Sequence, residues 1–177
     1  MEALEEDYEA CLELTRELLA RGDDPEELQR ANLACNRAIQ LRGDDAEGWL
    51  LKCQLMSALG DDVAALAAAE MAVRRASRRA EVHYWRAAIL GDLGQYEEGL
   101  RALDRAFRSL GEHDAWLLED LYYEKATMLD AMGAREAALA TYEAGLERCP
   151  GSVILRAGLE PLQRGRPSLK VLRGGAQ

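Results

Sequence analysis

Residues 55–76, LMSALGDDVAALAAAEMAVRRA, and residues 88–110, AILGDLGQYEEGLRALDRAFRSL, decide the fold. Laid over each other on Gly60 and Gly94, they run in step with a period of 34 residues, the mark of an internal repeat. Small residues carry that period outward. Ala31, Ala65, Gly99 and Ala138 are separated by 34, 34 and 39 residues. Ala38, Ala72, Ala106 and Gly145 show the same three spacings. Gly22, Gly60, Gly94 and Gly133 are separated by 38, 34 and 39. The departures from 34 are therefore local insertions, one near residues 23–26 and one at 114–118.

Each unit reads as two helices. The first runs up to the glycine, which ends a helix at little cost because it tolerates left-handed backbone angles. The second begins just after it. Leu28, Ala31, Cys35 and Ala38 fall at helical spacing in one unit, and Tyr96, Gly99, Leu103 and Ala106 in another. Asp24 followed by Pro25 reads as an N-cap with proline at the first helical position, and Asp114 as a second cap. No alternating Val/Ile/Thr run suggests a strand. The spacing predicts helices near 2–20, 25–41, 46–59, 62–77, 80–93, 96–110, 114–132 and 135–148. A ninth near 152–163 would cap the end, with Val153, Ile154, Leu155, Leu159 and Leu162 as its apolar face. The second insertion is expected to lengthen the seventh helix by more than a turn, carrying Trp116 and Leu117.

A 34-residue helix–turn–helix period with paired small residues resembles the tetratricopeptide repeat (TPR). The unit with Tyr122, Ala126, Leu129, Ala138, Tyr142 and Pro150 matches that family's pattern best. Another carries Trp49, Cys53, Met56, Gly60, Ala65 and Ala72, and a third His83, Ala87, Leu90, Gly94, Tyr96, Gly99 and Ala106. The first unit is degenerate, with Cys11, Leu14, Thr15, Leu18 and Gly22 before Leu28, Ala31 and Ala38. The resemblance spans roughly residues 8–152. It implies an all-α, TPR-like right-handed superhelical solenoid over residues 1–163. Its four helix–turn–helix repeats would lie at about 8–45, 46–79, 80–113 and 114–152, followed by the capping helix at 152–163. Residues 164–177 read as a flexible basic tail.

Composition limits what such a scaffold could do. The chain carries a net −10, and Arg164, Arg166, Lys170 and Arg173 give the tail +4, so residues 1–163 carry −14. A phosphate-binding surface wants the opposite sign, so no nucleic-acid partner is expected. The acidic start, MEALEEDYEA, lacks the basic and apolar segments of a signal peptide, and no run is long and apolar enough for membrane insertion. The expected compartment is cytoplasmic. Cys11, Cys35, Cys53 and Cys149 stand singly and read as reduced packing residues.

Nothing in the sequence assembles a catalytic constellation, and no enzyme activity, cofactor or metal is expected. His83 falls on a packing position of the repeat, and His113 lies in a loop. No serine sits in a GxSxG setting. The GDD triplets at 22–24, 43–45 and 60–62 read as helix-joining turns that place negative charge at the next helix's N-terminus, not as metal ligands.

The resemblance also implies a site. In the family, the first helix of each pair lines a concave groove that holds a peptide. Carried over, the groove would comprise Glu9, Leu12, Arg16 and Leu19, then Glu47, Leu50, Gln54 and Ser57. Glu81, Tyr84, Ala88 and Gly91 would follow, and then Asp120, Tyr123, Thr127 and Asp130. Each set begins with an acid. Family members that grip a carboxylate tail use Lys, Asn and Arg, whereas the matching positions here include Leu50, Gln54, Trp85, Asp120 and Glu124. The expected partner is therefore a basic or amphipathic protein segment, held by an adaptor, chaperone-like or assembly factor. The alternative is a self-assembling scaffold, a homo-oligomer formed by solenoid stacking or tail exchange. The tail, with Leu169, Val171 and Leu172 among its cations, either stays disordered or enters the groove of its own or a neighbouring chain.

Overall fold

The computed structural model describes residues 2–22 and 24–164. The helices are α1 (Glu2–Ala20), α2 (Pro25–Leu41), α3 (Ala46–Ala58), α4 (Asp62–Arg75) and α5 (Ala80–Asp92). After them come α6 (Tyr96–Ser109), α7 (Leu118–Ala131), α8 (Arg135–Arg148) and α9 (Val153–Gln163). A 3-10 turn, Ala115–Leu117, precedes α7. No strand occurs among the described residues.

The tightest partners are α1 with α2, α3 with α4, α5 with α6, and α7 with α8. These hairpins stack in chain order. Consecutive odd helices pack on one another from α1 through α9, whereas no consecutive even helices pack comparably among the described residues. The odd helices therefore form a continuous inner layer and the even helices a more open outer one. Buried clusters follow this stacking. One runs from Tyr8 and Leu12 to Leu55 and Ile89, another joins Ala80 through Met128, and a third holds Ala126, Tyr142, Leu155, Leu159 and Leu162. The last buries one face of α9, which closes the C-terminal end of the solenoid.

The small-residue registers are the helix contacts themselves. Ala31, Ala65 and Ala138, and likewise Ala38, Ala72 and Ala106, have no exposed surface. Glycine replaces alanine where the next hairpin presses in. A Cβ on Gly99 would stand 2.7 Å from Sδ of Met128, and one on Gly145 would stand 2.8 Å from Cβ of Tyr122.

Three turns share one geometry. Gly60, Gly94 and Gly133 have φ of 74°, 73° and 79°. In each case the following amide reaches back five residues: Asp61 to Met56 at 2.9 Å, Gln95 to Leu90 at 2.8 Å, and Ala134 to Leu129 at 2.9 Å. This is the Schellman closure that satisfies carbonyls left over at a helix end. Gly43 departs from the expectation that every GDD glycine ends a helix with a left-handed turn. Arg42 takes the C-cap at φ −142°, and Gly43 instead offers its carbonyl to Nε1 of Trp49 at 3.0 Å. The aspartates behave as caps. Asp24 accepts from the amides of Glu26 and Glu27, Asp45 from Glu47, and Asp61 from Ala64.

Two expectations for the second insertion are corrected. It does not lengthen α7, which has 14 residues like α8. The amide of Leu117 donates to the Asp114 carbonyl at 2.9 Å, the short-range bond of a 3-10 turn. This tight turn buries Leu117 completely and leaves Trp116 58% exposed. Nor does Asp114 cap a helix, since its carboxylate accepts from the amide of Gly111 at 2.8 Å and closes the loop. The basic tail from residue 165 onward lies outside the described residues. Arg164, at its root, donates its amide to the carbonyl of Glu160 at 3.1 Å.

Candidate functional site

The inner layer is where the groove residues were expected, and the structure divides them. Leu12, Leu50, Tyr84 and Ala88 are buried, with Leu50 packed beside Ala72 and Val82. The odd helices touch one another, so these positions fall into the seams between them. Arg16, Leu19, Glu47, Gln54, Ser57, Glu81 and Gly91 remain half-buried on α1, α3 and α5. Asp120, Tyr123, Thr127 and Asp130 do so on α7, while Glu9 is exposed. The groove floor is therefore apolar and closed, and polar side chains form its surface.

Three of the expected residues meet in one ion-pair chain. Nη2 of Arg16 lies 2.8 Å from Oε1 of Glu47, joining α1 to α3. The other Glu47 oxygen, Oε2, is 2.7 Å from Nη1 of Arg79, and Nη2 of Arg79 pairs with Glu81. Burial alone would raise the Glu47 carboxyl. The hydrogen bonds and charges of Arg16 and Arg79 outweigh that and hold it below its ordinary value. Burial likewise opposes the charge on Arg79, but bonding to Glu47 and the charge of Glu81 raise it. Glu47 and Glu81 thus already carry cations, so the acidity expected along the whole groove is neutralised across α3 and α5.

Arg79 was not among the residues expected from sequence. Its signal lay in the repeat: it stands 34 residues after Asp45, which caps α3. At the equivalent place before α5, Arg79 makes no side-chain cap. Exchange of a capping aspartate for arginine gives up a bond to the helix and gains two carboxylates from neighbouring helices.

The C-terminal part of the inner layer differs. Helix α7 carries Glu119, Asp120, Glu124 and Asp130 against one cation, Lys125. Nζ of Lys125 is drawn to Oδ1 of Asp104 on α6, at 2.9 Å. Thr127 donates its hydroxyl to the Tyr123 carbonyl at 2.8 Å and lies 3.3 Å from the hydroxyl of Tyr142. The rings of Tyr123 and Tyr142 meet edge to face at 6.3 Å, and those of Tyr84 and Trp85 at 5.4 Å. The negative charge left on the layer is thus concentrated on α7, beside an ordered pair of tyrosines.

His83 is 4% exposed and belongs to the interior. Its Nε2–H donates to the carbonyl of Ser77 at 2.8 Å, leaving Nδ1 buried without a hydrogen-bond partner. His113 is exposed in the loop before α7. Among the described residues, no group of three or more His, Cys, Asp or Glu is placed to hold a metal ion. No helix among them is long and apolar enough to cross a membrane.

No family model matches the chain, and no curated protein sequence matches it. Solved structures do. PilF of Pseudomonas aeruginosa superposes with a TM-score of 0.78 at 16% identity, over 92% of this chain and 70% of that one. MamA superposes with a TM-score of 0.72 at 17% identity, over 90% and 82%. YrrB, a TPR protein with an unusual peptide-binding site, gives 0.61 at 21% identity, over 79% and 70%. At these identities the likeness is one of fold.

Proposed function

Because the chain has the tetratricopeptide-repeat fold, we propose that it is a protein-interaction module whose inner helical layer holds a segment of another protein. Four hairpins stack so that α1, α3, α5 and α7 present one continuous face, with an apolar floor and polar side chains above it. A face of that form suits an extended or helical peptide. In this reading the chain acts as an adaptor, chaperone-like holder or assembly factor and performs no chemistry of its own.

The observation that carries the reading is the uneven charge of that face. Glu47 and Glu81 are occupied by Arg16 and Arg79, while α7 keeps a net charge of −3 beside Tyr123. The guest is a basic or amphipathic segment, and its cations lie over α7. Glu9, Leu12, Arg16, Glu47, Leu50, Gln54, Glu81, Tyr84 and Ala88 shape the remainder of the groove, some as floor and some as surface.

Fluorescence anisotropy of a labelled basic amphipathic peptide tests this. Asp120→Lys should weaken binding about tenfold, the worth of a charge contact reversed near a partly desolvated surface. Glu47→Gln should change affinity by less than about twofold, because two arginines already balance that carboxylate. Equal losses from both substitutions would sink the assignment of the cations to α7, and no binding by the unsubstituted chain would sink the groove reading altogether.

One observation favours the scaffold alternative. Val153 is 73% exposed and Ile154 39% exposed on the terminal helix α9, which offers an apolar end for a second solenoid. A molecular mass that rises with concentration, and falls to that of a monomer on Val153→Glu, would favour stacking.

A further inference from the structure

We propose that the chain's own C-terminal segment, residues 165–177, occupies the α7 part of the inner face in cis and competes there with outside partners. This rests on the reading of that face as a peptide site.

The first support is where the segment starts. Helix α9 packs on both α7 and α8. The Arg135 side chain at the start of α8 donates to the carbonyl of Leu162, and the Arg164 amide bonds to Glu160. The end of α9 is thereby tied to the turn between α7 and α8, close to the C-terminal end of α7. A chain leaving that point and running back along α7 meets Asp130, then Thr127, Glu124 and Tyr123, and then Asp120.

Reach is the second support. Helix α7 has 14 residues and is about 21 Å long. The 13 residues of the segment span up to about 45 Å when extended, roughly twice the length of α7. Pro167 favours an extended backbone at the residue before it, which suits a strand-like path over a helix.

Charge is the third. Arg166, Lys170 and Arg173 supply +3, and α7 supplies −3. The sole cation of α7, Lys125, points its amine to Asp104 on the preceding hairpin and does not oppose the segment's cations from beside them. Leu169, Val171 and Leu172 add apolar groups, for which the half-buried ring of Tyr123 is a seat. Charge alone would be screened beyond about 8 Å at physiological salt, so the apolar contacts must accompany it.

The full chain is compared with its Arg166→Ser/Lys170→Ser/Arg173→Ser variant. No buried cluster of the described residues includes these positions, so the solenoid itself should be unaffected. The backbone amide NMR signals of Asp120, Tyr123, Glu124, Thr127 and Asp130 should shift between the two chains, independently of protein concentration. A labelled peptide of residues 165–177 should bind the variant about tenfold tighter than the full chain. That factor follows from an intramolecular concentration of order 1 mM acting on a contact with Kd of order 0.1 mM. Equal affinity for both chains, or no shift along α7, overturns the proposal. So does a shift that grows with protein concentration, which would place the segment in a second copy. If an unrelated basic amphipathic peptide binds and the 165–177 peptide does not, the groove reading stands and this inference falls. If neither binds, both fall.

Discussion

Nη1 of Arg79 stands 2.7 Å from Oε2 of Glu47, so the residue just before α5 grips the first turn of α3. Glu47 also receives Arg16 from α1, and one half-buried carboxylate thereby links three odd helices. The Glu47 side chain is 24% exposed and that of Arg79 40%, which places the network between a surface pair and a buried one.

Glu47→Gln should therefore lower stability by about 1–2 kcal/mol at neutral pH, between the limits for exposed and buried pairs. The sign with pH follows from the lowered carboxyl. A folded pKa below the unfolded one gives a contribution that is complete above the ordinary carboxylate value and is lost as pH falls through the folded value. Urea midpoints should differ between the two chains at neutral pH and converge towards about pH 3. A difference that persists undiminished in acid would show that the carboxylate's charge is not its source.

Gly145→Ala should destabilise the chain by about 1–2 kcal/mol, because overpacking outweighs the gain in helix propensity. The new Cβ would lie 2.8 Å from Cβ of Tyr122 and 3.0 Å from Cδ1 of Leu155, on two different helices. Gly151→Ala is the control, since nothing lies within 4 Å of its Cβ position. Thermal unfolding should separate the two, and equal melting temperatures would refute the packing account.

Gly94→Ala tests the turn and not the packing. No atom lies within 4 Å of the added Cβ, but φ is +73°. The cost should be about 1–2 kcal/mol, and Gly94→Asn should recover part of it, since asparagine visits left-handed angles more readily. Alanine and asparagine that unfold together would argue against a backbone origin.

The thiols should divide in two. Burial pushes Cys35 up to about 11 and Cys53 up to about 12, while Cys11 and Cys149 are half-buried. A thiol reagent at mildly alkaline pH should modify Cys11 and Cys149 in the native chain and all four cysteines in denaturant. Rapid labelling of Cys53 in the native state would mean that the α3 core opens far more often than this packing implies.

The hairpins were legible because two periods coincide in the sequence. Helical spacing marked each face, and the 34-residue return of Gly60 and Gly94 marked each turn, so most boundaries fell within a residue or two of their places. The insertion before α7 was misread because helical spacing does not separate a 3-10 turn from an α-turn over so few residues. The backward bond from Asp114 to Gly111 decided it. The groove was legible only as a set of positions. Whether Leu50 lines a surface or fills a seam depends on how closely α3 and α5 approach, and whether Glu47 is available depends on a cation 32 residues later. Repeat spacing says where a side chain stands in its own unit and little about its neighbours' charges.

The asymmetry between the two helical layers has a mechanical meaning. Inner helices that touch act as a stiff spine, and outer helices that do not touch leave the back of the coil free to spread or close. Bending about that spine changes the width of the inner face without breaking its seams, so the solenoid is a spring whose softest deformation is the adjustment of its own grip.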